Sequence, residues 1–396
     1  MNLAGRIGWI LVGLLAAASR SEPQELVSPS TARGRAWIER FERDWAAADS
    51  EPKLACSVRT LRPVVNFALR YQAGYEASIP VDQFPPTATM LTVRFRVHSA
   101  ETNASHYFRR AGAIPAGLRR RSDRASFGGG FLVGEGDYRV DWLLTEPSGR
   151  ACRKSWEVRL RFGRGEQQLS QLLERGQVAP LALAGWKRAP AEGERPYQVA
   201  LFLHVSPIHP RSVRLSQFDQ SLLLTTLVSL LEKTPFRESS FHAISLHRQE
   251  ELLRSGELDG AALDELRGIM DDLELATIGI DQLRTPEGAA SLLADLLNEQ
   301  INAPDAPDAV IFIGPATRET AGFPRGLLES QAGSAPLFFY LQLNYFPRWF
   351  PFADTIEKLT RRQGGKVFRI HDPRQFARAL REIEELLAGR EEPLSR

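Results

Sequence analysis

Val199-Ala-Leu-Phe-Leu-His204 is an apolar run with its one polar side chain at the end. A strand with one wet face alternates apolar and polar residues, whereas a strand covered on both faces does not. The run therefore predicts a strand buried on both sides. Ala309-Val-Ile-Phe-Ile-Gly314 and Leu337–Leu343 repeat the pattern, and 241–247 and 366–370 read as further strands. Between them lie helical spacings. In 217–233, Leu222, Leu223, Thr226, Leu230 and Leu231 fall along one side, and 261–273, 286–301, 354–363 and 373–388 follow suit. Strand alternating with helix predicts a doubly wound, Rossmann-like α/β domain over residues 196–390.

Upstream the period changes. Met90-Leu-Thr-Val-Arg-Phe-Arg-Val97 alternates apolar and polar residues, and Tyr138-Arg-Val-Asp-Trp-Leu-Leu144 does likewise. Pro147-Ser-Gly-Arg150 is a turn signal, and 152–162 reads as the returning strand of a hairpin. Residues 51–165 are thus expected to form an immunoglobulin-like β-sandwich. Gly136-Asp137-Tyr138 resembles a tyrosine corner, in which the phenol ties a loop to the next strand. Gly128-Gly-Gly130 precedes a strand, not a helix, and so reads as hairpin or bulge glycines instead of a phosphate loop. Residues 31–50 carry Trp37, Ile38, Phe41 and Trp45 at helical spacing, and 166–195 reads as a Pro/Ala/Gly-rich linker.

The first 19 residues have the layout of a signal peptide. Arg6 supplies the charge, 7–18 the apolar core, and Ala16, Ala17, Ala18 and Ser19 the small residues at a cut. The alternative is an uncleaved anchor. No later segment approaches the length of a membrane span, so the mature chain is expected to have none and to be periplasmic or secreted. The roughly 375 residues that remain predict two domains. Cys56 and Cys152 are the only cysteines, and an oxidising compartment allows them to pair; two buried thiols are the alternative.

The second half resembles the von Willebrand factor A (vWA) family. The element order and Ala200-Leu-Phe-Leu-His-Val-Ser-Pro207, similar to that family's first strand and loop, carry the likeness. The whole chain also resembles a group of secreted acidobacterial proteins with a vWA-related domain, through residues such as Arg62-Pro-Val-Val-Asn-Phe-Ala-Leu-Arg-Tyr-Gln-Ala-Gly-Tyr75; that likeness implies no particular activity. The family holds a divalent ion through Asp-x-Ser-x-Ser. Here the matching residues are His204, Ser206 and Ile208, and the later strand ends in Ile313-Gly314-Pro315 without an acid. A lone serine does not hold Mg²⁺ against its hydration shell. The resemblance therefore implies a degenerate, metal-free site and no cofactor. Asp219 and Asp281 look misplaced for direct ligation.

Other chemistry is sparse. His204, Ser206 and His209 are the candidates for a hydrolase or other enzyme, yet no orienting acid or third ligand accompanies them. No Gly-x-Ser-x-Gly, His-Glu-x-x-His or Walker sequence occurs. Arg109, Arg110, Arg119, Arg120, Arg121 and Arg124 cluster, and residues 51–165 carry about 19 basic against 10 acidic side chains. Export argues against nucleic acid as their partner. An anionic envelope component fits, as does docking on the acidic second half, with about 22 basic against 28 acidic. Tyr345, Trp349 and Phe350 lie in an aromatic stretch at a strand end, suited to a protein partner or to folding over the sheet. The expectation is an exported, non-enzymatic interaction protein.

Overall fold

The computed structural model describes residues 24–48, 53–114, 124–163, 173–181, 197–209, 212, 214–234, 236–273, 287–316, 326, 328, 335–344 and 352–389. They divide into two units. The first comprises 1–64, 71–162 and 173–182, the second 65–70, 163–172 and 183–396.

In the first unit, one sheet has the order β1 (Glu25–Val27), β5 (Ser105–Ile114), β4 (Thr89–Ser99), β7 (Gly136–Thr145), β8 (Ala151–Leu160). The other has the order β2 (Ser57–Val65), β3 (Tyr71–Pro80), β6 (Arg124–Val133), β9 (Val178–Pro180). Alternation decides what each strand buries. Val93, Phe95 and Val97 of β4 and Val140, Trp142 and Leu144 of β7 point inward and are buried. They meet the facing sheet edge-on, with Tyr75 5.6 Å from Phe95 and 5.5 Å from Trp142 between ring centroids. Cys152 opposes Leu144 in register, so it shares the inward side, and it is disulfide-bonded to Cys56 just before β2. That bond ties the two sheets covalently.

The three glycines expected in a hairpin instead occupy the interior of β6, opposite Glu76, Tyr75 and Gly74. A Cβ on Gly129 would collide with the Tyr75 hydroxyl, and one on Gly74 would sit 2.6 Å from the Gly129 carbonyl oxygen. The glycines make room for a buried phenol. The Tyr138 hydroxyl has one proton, and its shorter bond, 2.8 Å, runs to the Gly134 carbonyl.

Helix α1 (Ala32–Ala47), capped by the Thr31 hydroxyl, lies on the outer face of the five-stranded sheet. Phe41 is buried there against Leu143 and Ala151, with its ring edge-on to Tyr107. The polar residues of β4 are therefore not simply solvated. Arg94 reaches Asp44 at 2.6 Å and Arg96 reaches Glu42 at 2.8 Å.

The second unit holds a six-stranded sheet of order β12 (Glu250–Ser255), β11 (Phe236–Ser245), β10 (Tyr197–His204), β13 (Ala309–Pro315), β14 (Leu337–Leu343), β15 (Lys366–Ile370). Helices α2 (Gln217–Lys233), α3 (Gly260–Asp272) and α6 (Pro373–Ala388) contribute to one core, and α4 (Gly288–Ile301) and α5 (Thr355–Arg362) to another. Phe67 and Leu69, from the segment between β2 and β3, belong to the first of these cores, with Phe67 5.7 Å from Phe376.

The expected class, an immunoglobulin-like sandwich followed by a doubly wound, Rossmann-like vWA domain, is corrected here. The described chain is mostly β, with fifteen strands in three sheets and few helices. The second sheet is mixed: β12 returns antiparallel to β11 as a hairpin, where alternation of strand with helix called for a crossover. The physical reason is that an apolar run reports burial on both faces. It reports neither strand direction nor the kind of connection. Among the described residues, no helix is long and apolar enough to cross a membrane.

Reducing or deleting the Cys56–Cys152 bond frees a loop with a sequence separation of 96. The chain-entropy cost is about 4 kcal/mol, or roughly 10 °C for a unit of this size. Thermal unfolding of Cys152→Ser, and of the native chain with and without reductant, should show that loss in the first unit's transition. Equal melting in all three would exclude a stabilising bridge.

Candidate functional site

Strands β10, β13, β14 and β15 run parallel, so their carboxyl ends share one edge of the sheet. In open sheets such an edge collects the loops that bind ligands. His204 closes β10 there. It is 1% exposed, and among the described residues neither ring nitrogen reaches a partner in hydrogen-bonding geometry. Burial pushes the imidazole down to about 4; the Pro315 carbonyl opposes that shift, and His247 adds to it. The ring is therefore neutral at pH 7. Backbone packs tightly beside it, since a Cβ on Gly314 would lie 2.7 Å from the His204 carbonyl oxygen.

The rest of the loop is committed to its own fold. Ser206 is half-buried, and Ile208 is buried with its N–H donating to Asp219 Oδ1 at 3.1 Å. Asp219 Oδ2 accepts the Ser216 N–H and hydroxyl, each at 2.7 Å, in the capping box that starts α2. Both carboxylate oxygens of Asp219 thus stabilise the turn. His209 is exposed, and its carbonyl accepts the Ser212 N–H at 3.0 Å. His204 and His209 consequently sit in different surroundings, one sealed in the strand-end core and one at the surface. Among the described residues, no group of three or more His, Cys, Asp or Glu side chains is placed to hold a metal ion.

A polar cluster that sequence reasoning missed stands at the end of β14. The Tyr340 hydroxyl lies 3.1 Å from the Pro315 carbonyl and 3.2 Å from Asp354 Oδ2. The Gln342 amide donates toward Asp354 at 3.2 Å and Glu357 at 3.4 Å. Carboxylates only accept, so the amide orientation is forced and Gln342 Oε1 is left buried without a partner. Glu357 takes Arg361 at 3.0 Å and Arg369 at 2.8 Å. Burial, and then the Asp354 charge, hold the Tyr340 phenol well above its ordinary range. Asp354 also caps α5 through the Glu357 N–H at 2.8 Å. The cluster therefore clamps α5 to β14 and β15. Two signals in the sequence point to it: polar Tyr340 and Gln342 two apart in an apolar strand, and the Asp-x-x-Glu pattern of a helix start.

The described arginines of the expected loop cluster lie on strands and are engaged. Arg109 pairs with Glu25 at 2.6 Å, Arg110 donates to the Gly128 carbonyl, and Arg124 donates to the Ser78 hydroxyl at 2.6 Å. Arg119, Arg120 and Arg121 lie outside the described residues, as do Tyr345, Trp349, Phe350, Asp281 and the signal segment 1–19. Two other aromatics mark the carboxyl edge. Phe218, in the first turn of α2, is 57% exposed, and Phe352, just before α5, is 75% exposed.

No family model and no curated protein matches the chain. Among solved structures it is similar to the putative ApaA protein from Bordetella pertussis, at 12% identity, with 28% of this chain and 99% of that one covered and a TM-score of 0.19. A lipoprotein from Bacteroides thetaiotaomicron shows 8% identity over 32% of this chain and 95% of that one, at 0.14. Bacteroides uniformis β-glucuronidase 2 shows 9% identity over 72% of this chain and 35% of that one, at 0.19. Scores this low carry no argument about fold or activity, and the site rests on its own geometry.

The buried imidazole makes a pH prediction. His204 titrates near 4 when folded, against 6.5 for an unperturbed ring. The unfolded chain therefore takes up the proton first. Stability is full above pH 6.5, falls as pH drops from there toward 4, and levels off below, by about 3 kcal/mol in all. Denaturant unfolding at stepped pH should show this slope flattened by up to one proton in His204→Met. An unchanged slope in the variant would place the effect elsewhere.

Proposed function

We propose that this chain is an exported, non-enzymatic interaction protein that binds a protein partner at the carboxyl edge of the six-stranded sheet, without a metal ion. One observation carries the reading. At the carboxyl end of β10, His204 is neutral and sealed, Ile208 is apolar and buried, and both carboxylate oxygens of Asp219 are engaged by Ser216 and Ile208. What the edge offers to solvent instead is Phe218 and Phe352. Exposed aromatics flanked by polar side chains suit the centre of a protein interface. The burial of His204 weighs against it as the base of a hydrolase with Ser206, because a sealed imidazole cannot take a proton from a substrate-facing hydroxyl. Export rests on the layout of residues 1–19 alone.

Crosslinking and affinity capture from the native envelope, with the full chain and a chelator present, tests this. The chain should retain its partner, and Phe218→Ser with Phe352→Ser should reduce recovery at least tenfold while melting within about 1 °C of the native chain, as exposed substitutions do. Capture that requires added Mg²⁺ or Mn²⁺ and vanishes in Ser206→Ala would overturn the metal-free reading. Ester or peptide turnover abolished by the same substitution would make the protein an enzyme.

A further inference from the structure

The outer face of the five-stranded sheet is only partly covered by α1. Register resolves it into rows. Tyr107, Arg96, Asp141 and Ser155 form one row across β5, β4, β7 and β8, and Glu42 of α1 reaches it through Arg96 and Tyr107. The next row, Ser105, His98, Arg139 and Glu157, opens an uncovered groove. Asp137, Arg159 and Arg161 complete its walls, and its volume is about 350 Å³. That is enough for a small ligand or one group of a larger one.

We infer that this groove is an oxyanion site, built on Arg139, for a carboxylate or phosphate group. The inference is independent of the binding edge argued above, since every residue in it belongs to the first unit. Asp141, fully buried beneath Arg139, accepts its Nε at 3.2 Å. Asp141 is itself held by Arg96 at 2.6 Å and by the Ser155 hydroxyl at 2.7 Å. The guanidinium is thus held at one nitrogen, and among the described residues no group takes its two terminal nitrogens. A fixed planar fork with both ends free matches the two oxygens of a carboxylate or phosphate, and its ordering cost has been met before a ligand arrives.

The neighbouring arginines are each partly occupied. Arg159 pairs with Glu157 at 2.6 Å and lies 4.0 Å from Asp137, and Arg161 pairs with Asp137 at 2.6 Å. Glu101 and Glu135 lie near Arg161 as well. Those carboxylates brace the walls and limit the net charge, so the site takes one anionic group, not a polyanion. His98, whose Nδ1 is 3.1 Å from the Ser105 hydroxyl, faces Arg139 across the row.

Titration of the full chain at constant ionic strength, by calorimetry or by NMR of the arginine Nε–H signals, decides the matter. The probes are inorganic phosphate and acetate. Saturable binding in the millimolar range is expected, with Arg139→Gln weakening it at least tenfold. Arg139→Lys keeps the charge and loses the fork, so it should weaken binding nearly as much. Arg43→Gln on α1 should not change it. Tighter phosphate binding identifies a phosphate-bearing ligand, and tighter acetate binding a carboxylate-bearing one. Should Arg139→Gln melt early, Arg159→Gln, on a side chain 72% exposed, provides a second reading with an expected loss of two- to fivefold. The inference fails if neither anion saturates, if Arg139→Lys binds as the native chain does, or if Arg139→Gln and Arg43→Gln lose affinity equally.

Discussion

The first unit depends on one buried carboxylate. Asp141 has no exposed surface, and an ionised acid there needs partners for its charge. Burial raises its tendency to protonate, but hydrogen bonds from Arg96, Ser155 and Arg139 more than offset this and hold it below the usual range. Each partner does something further. Arg96 turns outward to Glu42 and so seats α1 on the sheet. Ser155 ties down the edge strand β8. Arg139 lines the groove. Removing the acid would strand Arg96 and loosen a helix, an edge strand and a binding wall together, which is why its pairs are coupled and not additive.

The second unit meets the same demand with different chemistry. Polar side chains at its strand ends are sealed and then satisfied from within: Asp219 by the α2 cap, and Asp354 and Glu357 by Gln342, Arg361 and Arg369. His204 takes a cheaper course and stays uncharged. None of these groups keeps free capacity directed at solvent, apart from the hidden Gln342 carbonyl. What the described edge exposes instead are the rings of Phe218 and Phe352.

Much of this was legible in the sequence, and the limits follow from what periodicity encodes. Alternation in β4 and β7 gave the inward set, since a two-residue period assigns faces directly. The β7–β8 hairpin was marked by Pro147-Ser-Gly-Arg150. The apolar runs at β10, β13 and β14 marked strands but carried no direction, so the antiparallel β12, whose Glu250-Glu-Leu-Leu-Arg-Ser255 alternates poorly, went unseen and the fold class was misread. Gly129 of β6 was misplaced because its cause is the Tyr75 ring, some fifty residues away. Phe67 and Leu69 looked like part of a β-domain and belong to the other core. At the edge, residue type alone drew attention to His204, Ser206 and Ile208. The Tyr340–Gln342–Asp354–Glu357 cluster left only partial signals, polar residues two apart in an apolar strand and an Asp-x-x-Glu helix start, and the Asp141–Arg139 pair, two apart on one strand, was hidden within the alternation.

Register also explains why the arginines differ in what they do. Arg94, Arg96 and Arg139 share the outward side of adjacent strands, yet α1 ends its ion pairs at the row of Arg96. Arg94 and Arg96 are neutralised by Asp44 and Glu42 on that helix. Arg139, one row further, is held by Asp141, and among the described residues no carboxylate reaches its terminal nitrogens. What separates a structural arginine from one open to a ligand is therefore whether a helix carboxylate reaches it: Asp44 and Glu42 reach Arg94 and Arg96. Charge counting along the chain pointed at the arginine-rich run near 119–121, whereas the distinction that matters is geometric: whether a guanidinium is oriented by a buried acid while its fork remains unpaired.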